Sequence, residues 1–395
     1  MSSTEKKSTL IKKPNILENL FLGCTVQEVP RLIPGVLLAA ALVALFVWLS
    51  DLINDTLGFK GLISYILLVI VAGIVIRNTI GVPAIFSSGI NFCLKKLLRL
   101  GIMLMGIRLS IFAVLEIGAW GIPIVVVCVL AGLVITTLFG RFLKLPERLA
   151  TLIAVGTSIC GASAIVATAP GINAKDEEVT YAVANITVFG IIALVAYPFL
   201  SHFIFSGDST MAGLFTGTSI HETAQVAASG LIYDQTFGTT SNPTTADVAM
   251  VTKLVRNVLM AVVIPVMTFI YARQTGGTKE SSESGFRKAL KLFPLFILGF
   301  LFMAVLRSIG DAGIQGDGLA MGLWSDEQWS GITSGIKQWS GYILATAMAG
   351  VGLGTSFRSM KGLGIKPFYV GLFSATMVGV TAIVMVFLLG KQVTI

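Results

Sequence analysis

Charge is scarce in this sequence. Only 12% of its 395 residues are Asp, Glu, Lys or Arg, against 55% hydrophobic. A soluble domain carries about 25%, so a chain this long could not clothe a water-facing surface, and lipid must be the solvent for much of it. Histidine is scarcer still, with only His202 and His221. His221-Glu222 lacks the second histidine that a zinc-protease helix needs, because Gln225 stands in that place. The four cysteines, Cys24, Cys93, Cys128 and Cys160, show no CxxC spacing. Neither a disulfide framework nor a zinc site follows, and reduced packing cysteines are expected. No stretch, Gly352-Leu353-Gly354 included, forms a Walker loop, so nucleotide-driven transport has no support and no cofactor is expected.

The net charge of +8 does not point to nucleic acid. Lys and Arg sit in short stretches between apolar runs, which is how membrane topology is written. A spanning helix needs about 20 mostly apolar residues. That ruler gives about eleven spans: Leu32–Ser50, Leu62–Ile76, Leu100–Leu115, Gly121–Gly140, Ala150–Ala169, Tyr181–Phe205, Met211–Ile232, Val248–Tyr271, Leu292–Leu306, Trp339–Phe357 and Phe368–Gly390. The fifth and seventh are rich in Gly, Ser and Thr.

One set of alternate loops holds Lys6, Lys7, Lys12, Lys13, Arg31, Arg77, Lys95, Lys96, Arg141, Lys144, Arg148, Arg273, Lys279, Arg287, Lys288, Lys291, Arg358, Lys361 and Lys366. The other holds Lys60, Lys175 and Lys337 among acids such as Asp51, Asp176, Glu177, Glu178, Asp311 and Asp326. The bias places the N-terminus in the cytoplasm and, with an odd number of spans, the C-terminus outside. Residues 1–31 are expected as a cytoplasmic tail without the apolar core of a signal peptide, and 32–395 as one membrane domain. Gln274–Ser284 reads as a cytoplasmic linker, and Asp311–Gln338, with Trp324 and Trp329, as an outer interfacial cap.

Internal echoes suggest a repeat. Lys96-Leu97-Leu98-Arg99 returns as Lys253-Leu254-Val255-Arg256, and Gly156-Thr157-Ser158 returns as Gly354-Thr355-Ser356. Each pair is five spans apart, so its members run in opposite directions. This is the geometry of inverted five-helix repeats, about 61–206 and 209–390. A third echo, Gly156-Thr157-Ser158-Ile159 with Gly217-Thr218-Ser219-Ile220, lies only two spans apart. It reads as convergent chemistry at two helix breaks.

The chemistry concentrates in few places. Thr157, Ser158, Cys160 and Ser163 cluster with Gly156 and Gly161, and a helix broken there would expose half-helix ends to a solute. The alternative is a small-residue packing seam. Thr218, Ser219, His221, Glu222 and Gln225 form the second cluster. Glu222 is the one acid well inside an expected span, and membrane carboxylates are costly and usually functional. The alternative is a structural carboxylate balanced by Lys253 or Arg256. These two share a helix face and either attract an anion or snorkel to the interface. Thr355 and Ser356 would complete the site.

At these residues the chain resembles the bacterial sulfate-exporter-type family, the YeiH-like conserved hypothetical membrane proteins. The likeness rests on Ser158-Ile159-Cys160-Gly161-Ala162-Ser163-Ala164, Ser219-Ile220-His221-Glu222 and Ala224-Gln225-Val226, and extends through Lys253–Arg256 and Leu98-Arg99-Leu100-Gly101. Thr223 stands where an aliphatic residue is expected. The resemblance implies about eleven spans and kinship with transporters of bile-acid, arsenite and sodium/proton type, which use inverted repeats with two crossing, unwound helices. It also implies sulfate or sulfonate export.

The expected molecule is therefore an all-α polytopic protein of the bacterial inner membrane. It has about 11 transmembrane helices and crossing broken helices in the fifth and tenth. It exports a small anion, coupled to a proton or Na+, and it is not an enzyme. Its partners are that solute and the lipid bilayer, with room for a homodimer. A cation/proton antiporter is the first alternative, and a non-transporting scaffold or receptor the second.

Overall fold

A computed structural model describes residues 24–57, 64–274, 294–356 and 365–393. These form an all-α membrane protein whose only strands, among the described residues, are β1 (Leu319–Ala320) and β2 (Trp324–Ser325). Among the described residues, six helices are long and apolar enough to cross a bilayer: Ile33–Thr56, Ile111–Phe142, Asp176–Ile204, Thr245–Gln274, Phe296–Asp317 and Ile365–Gln392. In hydrocarbon every backbone amide must find a partner, and the helix starts show how this is met. Ser64, Ser110, Asp208, Thr244 and Ser325 each accept an amide of the first turn they precede.

The helices gather into two bundles. The first contains α1 (Ile33–Leu57), α2 (Tyr65–Thr79), α3 (Ala84–Phe92) and α4 (Leu98–Met105). It also contains α13 (Phe296–Asp317) and α14 (Asp326–Gly354). A π turn at Cys93–Leu97 joins α3 to α4. Glycines set its close approaches. A Cβ at Gly35 would lie 2.7 Å from the Gly89 Cα, and one at Gly73 2.9 Å from the Gly352 Cα. Without a hydrophobic drive between helices in lipid, such small-residue contacts carry the packing.

The second bundle contains α5 (Ile111–Phe142), α6 (Glu147–Ser158), α7 (Ala162–Thr168), α8 (Asp176–Ile204), α9 (Ser209–Ser219) and α10 (Thr223–Phe237). α11 (Thr245–Val258), α12 (Met260–Gln274) and α15 (Ile365–Leu389) complete it. α11 and α12 form one apolar rod of 30 residues, about 45 Å long. α11 is its centre, with only Val255 and Val258 outside the buried set. The bundles meet through α10 against α14 and α2, and α5 against α13.

The fifth and seventh apolar segments are not single helices. Each is a helical hairpin that returns to the face it came from. In the first, α6–α7, Arg148 Nε donates to the Tyr271 hydroxyl at 3.2 Å. At its other end, a Cβ on Gly171 would meet Thr268 at 2.8 Å. Both ends thus reach the last turns of α12. In the second, α9–α10, the Ser209 and Ser241 hydroxyls bond at 2.9 Å across the two ends. Gly213 and Gly230 pack on Thr245 and Ala246 in the first turn of α11. The hairpins therefore enter from opposite ends of the α11–α12 rod.

This arrangement corrects several expectations. α14 is helical to Gly354 and packs on α2, so Gly352–Ser356 does not cross the Gly156–Gly161 break; the second break lies in α9–α10 instead. Lys175 and Asp176–Glu178 follow a returning hairpin, and Glu178 lies within electrostatic range of Arg148. They share the face of Arg148 rather than the opposite one. α5 starts at its Ser110 cap and runs unbroken through 116–120, the gap between the expected third and fourth spans. α13 runs on to Asp317 and α14 starts at Asp326, which leaves only 318–325 of the expected cap non-helical. Beyond Gln274 the expected linker lies outside the described residues.

Candidate functional site at the meeting of two hairpins

An α-helix leaves its last carbonyls without intrahelical donors and carries partial negative charge at that end. α6 and α9 both end inside the protein, at Ser158 and Ser219. Ile159 takes φ −120°, ψ −104° and Ile220 an extended φ −77°, ψ 139°, so neither helix continues. Their orphaned carbonyls point at Lys253 and Arg256.

Lys253 Nζ donates to the carbonyls of Ile159 (2.9 Å), Ile220 (2.9 Å) and His221 (2.5 Å). Arg256 Nε donates to Ser158 O at 2.8 Å, and Nη1 to Thr218 O at 2.6 Å and Ile220 O at 2.9 Å. Its Nη2 donates to Thr157 O. Two cations thus fasten both hairpin tips. Lys253 spends all three of its donors this way, and Arg256 four of its five. Lys253 is eight residues into the 30-residue rod and Arg256 eleven, about 12 and 16 Å from its start. Both side chains are buried, at 0% and 1% exposure. Snorkelling is thereby excluded.

Glu222 supplies the opposite charge at the opposite helix end. It sits in the second tip, half-buried, and reaches into the first. Its carboxylate accepts from the backbone amide of Ala162, the first residue of α7, contacts the Thr187 hydroxyl of α8, and lies within electrostatic range of Lys253. An anion at a helix N-terminus and cations at helix C-termini are the stabilising arrangement. The Gln225 side-chain carbonyl accepts from the Glu222 amide at 3.3 Å and so starts α10. Asn257 Nδ2 donates to Thr223 Oγ1 at 3.2 Å, which gives the unexpected threonine a partner on α11.

Gly161 is the hinge of the first tip. Its φ is +71°, and a Cβ there would lie 2.5 Å from Glu222 Cγ. Gly161→Ala should therefore cost about 1–3 kcal/mol in backbone strain alone and push Glu222 off the α7 terminus. A melting temperature equal to that of the unaltered protein would refute this close approach.

Several buried polar atoms around the tips have no protein partner among the described residues. They are Thr157 Oγ1, Ser158 Oγ, Thr218 Oγ1, His221 Nδ1 and Gln225 Nε2. Buried polar groups are nearly always paired, so five such atoms on the two tips set this region apart from a plain packing seam.

Of the residues singled out in the sequence, Thr157, Ser158, Cys160, Thr218, Ser219, His221, Glu222, Gln225, Lys253 and Arg256 come together here. Cys160 is spent on packing, its thiol 3.5 Å from Met260 Sδ. Ser219 bonds back to Phe215 O at 2.6 Å. Three expected residues do not join. Ser163 is exposed on the outside of α7. Thr355 lies at the end of α14, where its carbonyl accepts from Asn78 of α2 at 2.9 Å. Ser356 follows it there. Lys96 and Arg99, the echo of Lys253 and Arg256, lie at the periphery. Thr187 was missed; a hydroxyl in an apolar helix carries no signal of its own.

Comparison with known proteins agrees with this picture of a membrane protein. The profile of a family described as Conserved hypothetical protein 698 matches residues 34–371. A UPF0324 membrane protein of Corynebacterium glutamicum is 33% identical over 367 residues, 92% of this chain and 95% of the relative. A UPF0324 membrane protein of Streptococcus agalactiae is 31% identical over 339 residues, 86% and 92% of the two chains. One from Fusobacterium nucleatum is 30% identical over 306 residues, 76% and 84%. The chain belongs to this family of bacterial membrane proteins, which is the YeiH-like family that its motifs resemble.

Proposed function

We propose that this family member is a secondary transporter that exports a small anion, such as sulfate or a sulfonate, coupled to a proton or Na+. The observation that carries the reading is the junction of the two tips. Two hairpins from opposite ends meet at two buried cations, and Thr157, Ser158, Thr218, His221 and Gln225 of the tips hold buried polar atoms that lack partners. Transporters place solute where broken helices meet near the midplane. The two cations and one carboxylate leave a net positive charge there when all three are ionised.

The same fold suggests a topology. Among the described residues, nine crossings (α1, α2, α3–α4, α5, α8, α11–α12, α13, α14, α15) and two re-entrant hairpins make up eleven apolar segments. The face that hairpin α6–α7 enters carries Arg141, Lys144, Arg148 and Arg273, and is assigned to the cytoplasm of a bacterial inner membrane. The N-terminus then lies inside. The C-terminus lies outside, since Gly390 packs on Met211 of α9. Residues 147–204 and 209–274, each a hairpin followed by a long helix, form an inverted pair. The shared Gly-Thr-Ser-Ile at 156–159 and 217–220 supports this repeat rather than a five-helix one.

One observation favours a second reading, a cation/proton antiporter. Lys253 and Arg256 have nearly all their donors on carbonyls, which leaves the Glu222 carboxylate as the group at the tips whose charge suits a cation. Counterflow separates the two. Proteoliposomes loaded with unlabelled sulfate or a sulfonate should accumulate the labelled anion. Accumulation of labelled cation in its place would move the assignment to the antiporter, and the absence of both would leave a scaffold or receptor.

A further inference from the structure

The two bundles are fastened to each other on the face that hairpin α9–α10 enters. The Ser64 hydroxyl, at the start of α2, donates to Gln235 Oε1 of α10 at 2.7 Å. The Ile111 amide, in the first turn of α5, donates to Ser308 Oγ of α13 at 2.8 Å. Arg108, at the end of the α4 chain, faces Asp247 in the first turn of α11, with Nε 3.4 Å from Oδ1. Each contact joins a residue of the first bundle to one of the second.

The Arg108–Asp247 pair is the charged contact of the three. The Asp247 side chain is 2% exposed and that of Arg108 23%. The other Asp247 oxygen, Oδ2, is occupied as a helix cap, accepting from the Thr244 amide (3.1 Å) and hydroxyl (2.9 Å). Oδ1 is thus left for Arg108. Around the pair stand Lys337 and the Arg307–Asp311 bridge of the first bundle. From the second comes Asp234, whose two oxygens hold the Thr245 and Ala246 amides at 2.9 and 3.0 Å. Asp247 is also six residues, about 9 Å, from Lys253 along one helix. Whatever moves α11 relative to α4 therefore moves the hairpin tips with it.

We infer that Arg108–Asp247, with Ser64–Gln235 and Ser308–Ile111, is a latch. It closes the seam between the bundles on the hairpin α9–α10 face, and it must part for solute to reach the tips from that side. Apolar contacts also run across the seam, from Ile66, Ile102 and Leu344 to Val114, Phe215 and Val248, so parting it must release these three polar links together with apolar packing. The latch rests on the transport reading only for its purpose; its existence as a coupled set of contacts is tested separately.

Asp247→Asn keeps an oxygen for the Thr244 cap and removes the charge facing Arg108. Arg108→Gln removes it from the other side. In the full chain in nanodiscs, either change should speed amide exchange at 65–68, 109–113 and 244–250 by about three- to tenfold, the range of a partly buried ion pair. The double variant should add little to either single one. Unchanged exchange, or two effects that multiply, overturns the pair as a latch. For its purpose, Ser64→Cys with Gln235→Cys is bridged by a short bifunctional thiol reagent with a reducible link. Counterflow should stop on bridging and return on reduction, while each single cysteine variant is unaffected. Full-rate counterflow through the bridged protein overturns the gate. If the unaltered protein moves no solute at all, the transport reading fails on its own, and the exchange result still decides the latch.

Discussion

Arg256→Met should yield a protein that is severely destabilised in the membrane. The side chain holds the carbonyls of Thr157 and Ser158 in one hairpin and of Thr218 and Ile220 in the other. Methionine fills similar space and donates to none of them. Three carbonyls at helix ends would then face a low-dielectric interior unpaired, Ile220 keeping its bond from Lys253, and bonds to a charged donor are worth about 1.5–3 kcal/mol each. Breaking a buried charged set from one side costs about 3–5 kcal/mol. That is a large share of a typical net stability of about 5–15 kcal/mol. Loss of the monodisperse peak in mild detergent and a lowered melting temperature are the expected readings.

Arg256→Lys tests whether geometry or charge matters more. A lysine keeps the charge but lacks the planar fork that reaches both hairpins at once. It should fold with loosened tips and melt between the methionine variant and the parent. If Arg256→Met folds and melts like the parent, the tips are held by packing alone, and the cation is free for solute.

The path from sequence to this site was readable in part. Glu222, His221, Lys253 and Arg256 stand out because charge inside an apolar segment needs a reason. The Gly-Thr-Ser runs stand out because glycines and hydroxyls together mark broken helices. What hydropathy cannot separate is a helix that crosses from a hairpin that returns. α9 and α10 together carry as many small and apolar residues as one spanning helix, so the segment passes the length test either way. Counted as a crossing, the segment makes the two Gly-Thr-Ser-Ile breaks run parallel; as a returning hairpin, it lets them run in opposite directions. The same miscount sent Lys175 and Asp176 to the wrong face. Only contacts between hairpin ends, such as Ser209 with Ser241, reveal the return.

Polar residues that fix helix ends were harder to find. Asp234 and Asp247 sit at the margins of apolar segments, where acids are ordinary. Their roles depend on α10 ending beside the start of α11, a tertiary fact that no local pattern encodes. Arg108 likewise gains meaning only from Asp247, 139 positions later in the chain.

Glu222→Gln should fold, insert and exchange solute, yet lose the link between solute and coupling ion. Glutamine keeps an oxygen for the Ala162 amide at the start of α7 and can still meet Thr187, so the two tips stay joined. What it removes is the one carboxylate at the tips, beside Lys253, whose charge a proton or Na+ can cancel. In the proposed cycle, solute favours one charge state of Glu222 and the coupling ion the other. Coupling energies of about 1–3 kcal/mol correspond to about 5- to 150-fold changes in affinity. For the parent protein, solute affinity should therefore shift by such a factor across pH or Na+ concentration. For Glu222→Gln it should hold one value throughout. Counterflow, which needs no net ion movement, should stay within several-fold of the parent, while uphill transport driven by an ion gradient disappears. Glu222→Asp, with a shorter reach to Ala162, should keep a weakened dependence. A glutamine variant that still concentrates solute against a gradient, with the parent's pH profile, would show that Glu222 only joins the hairpins. The coupling group would then have to be His221, whose Nδ1 lies unpartnered in the same tip.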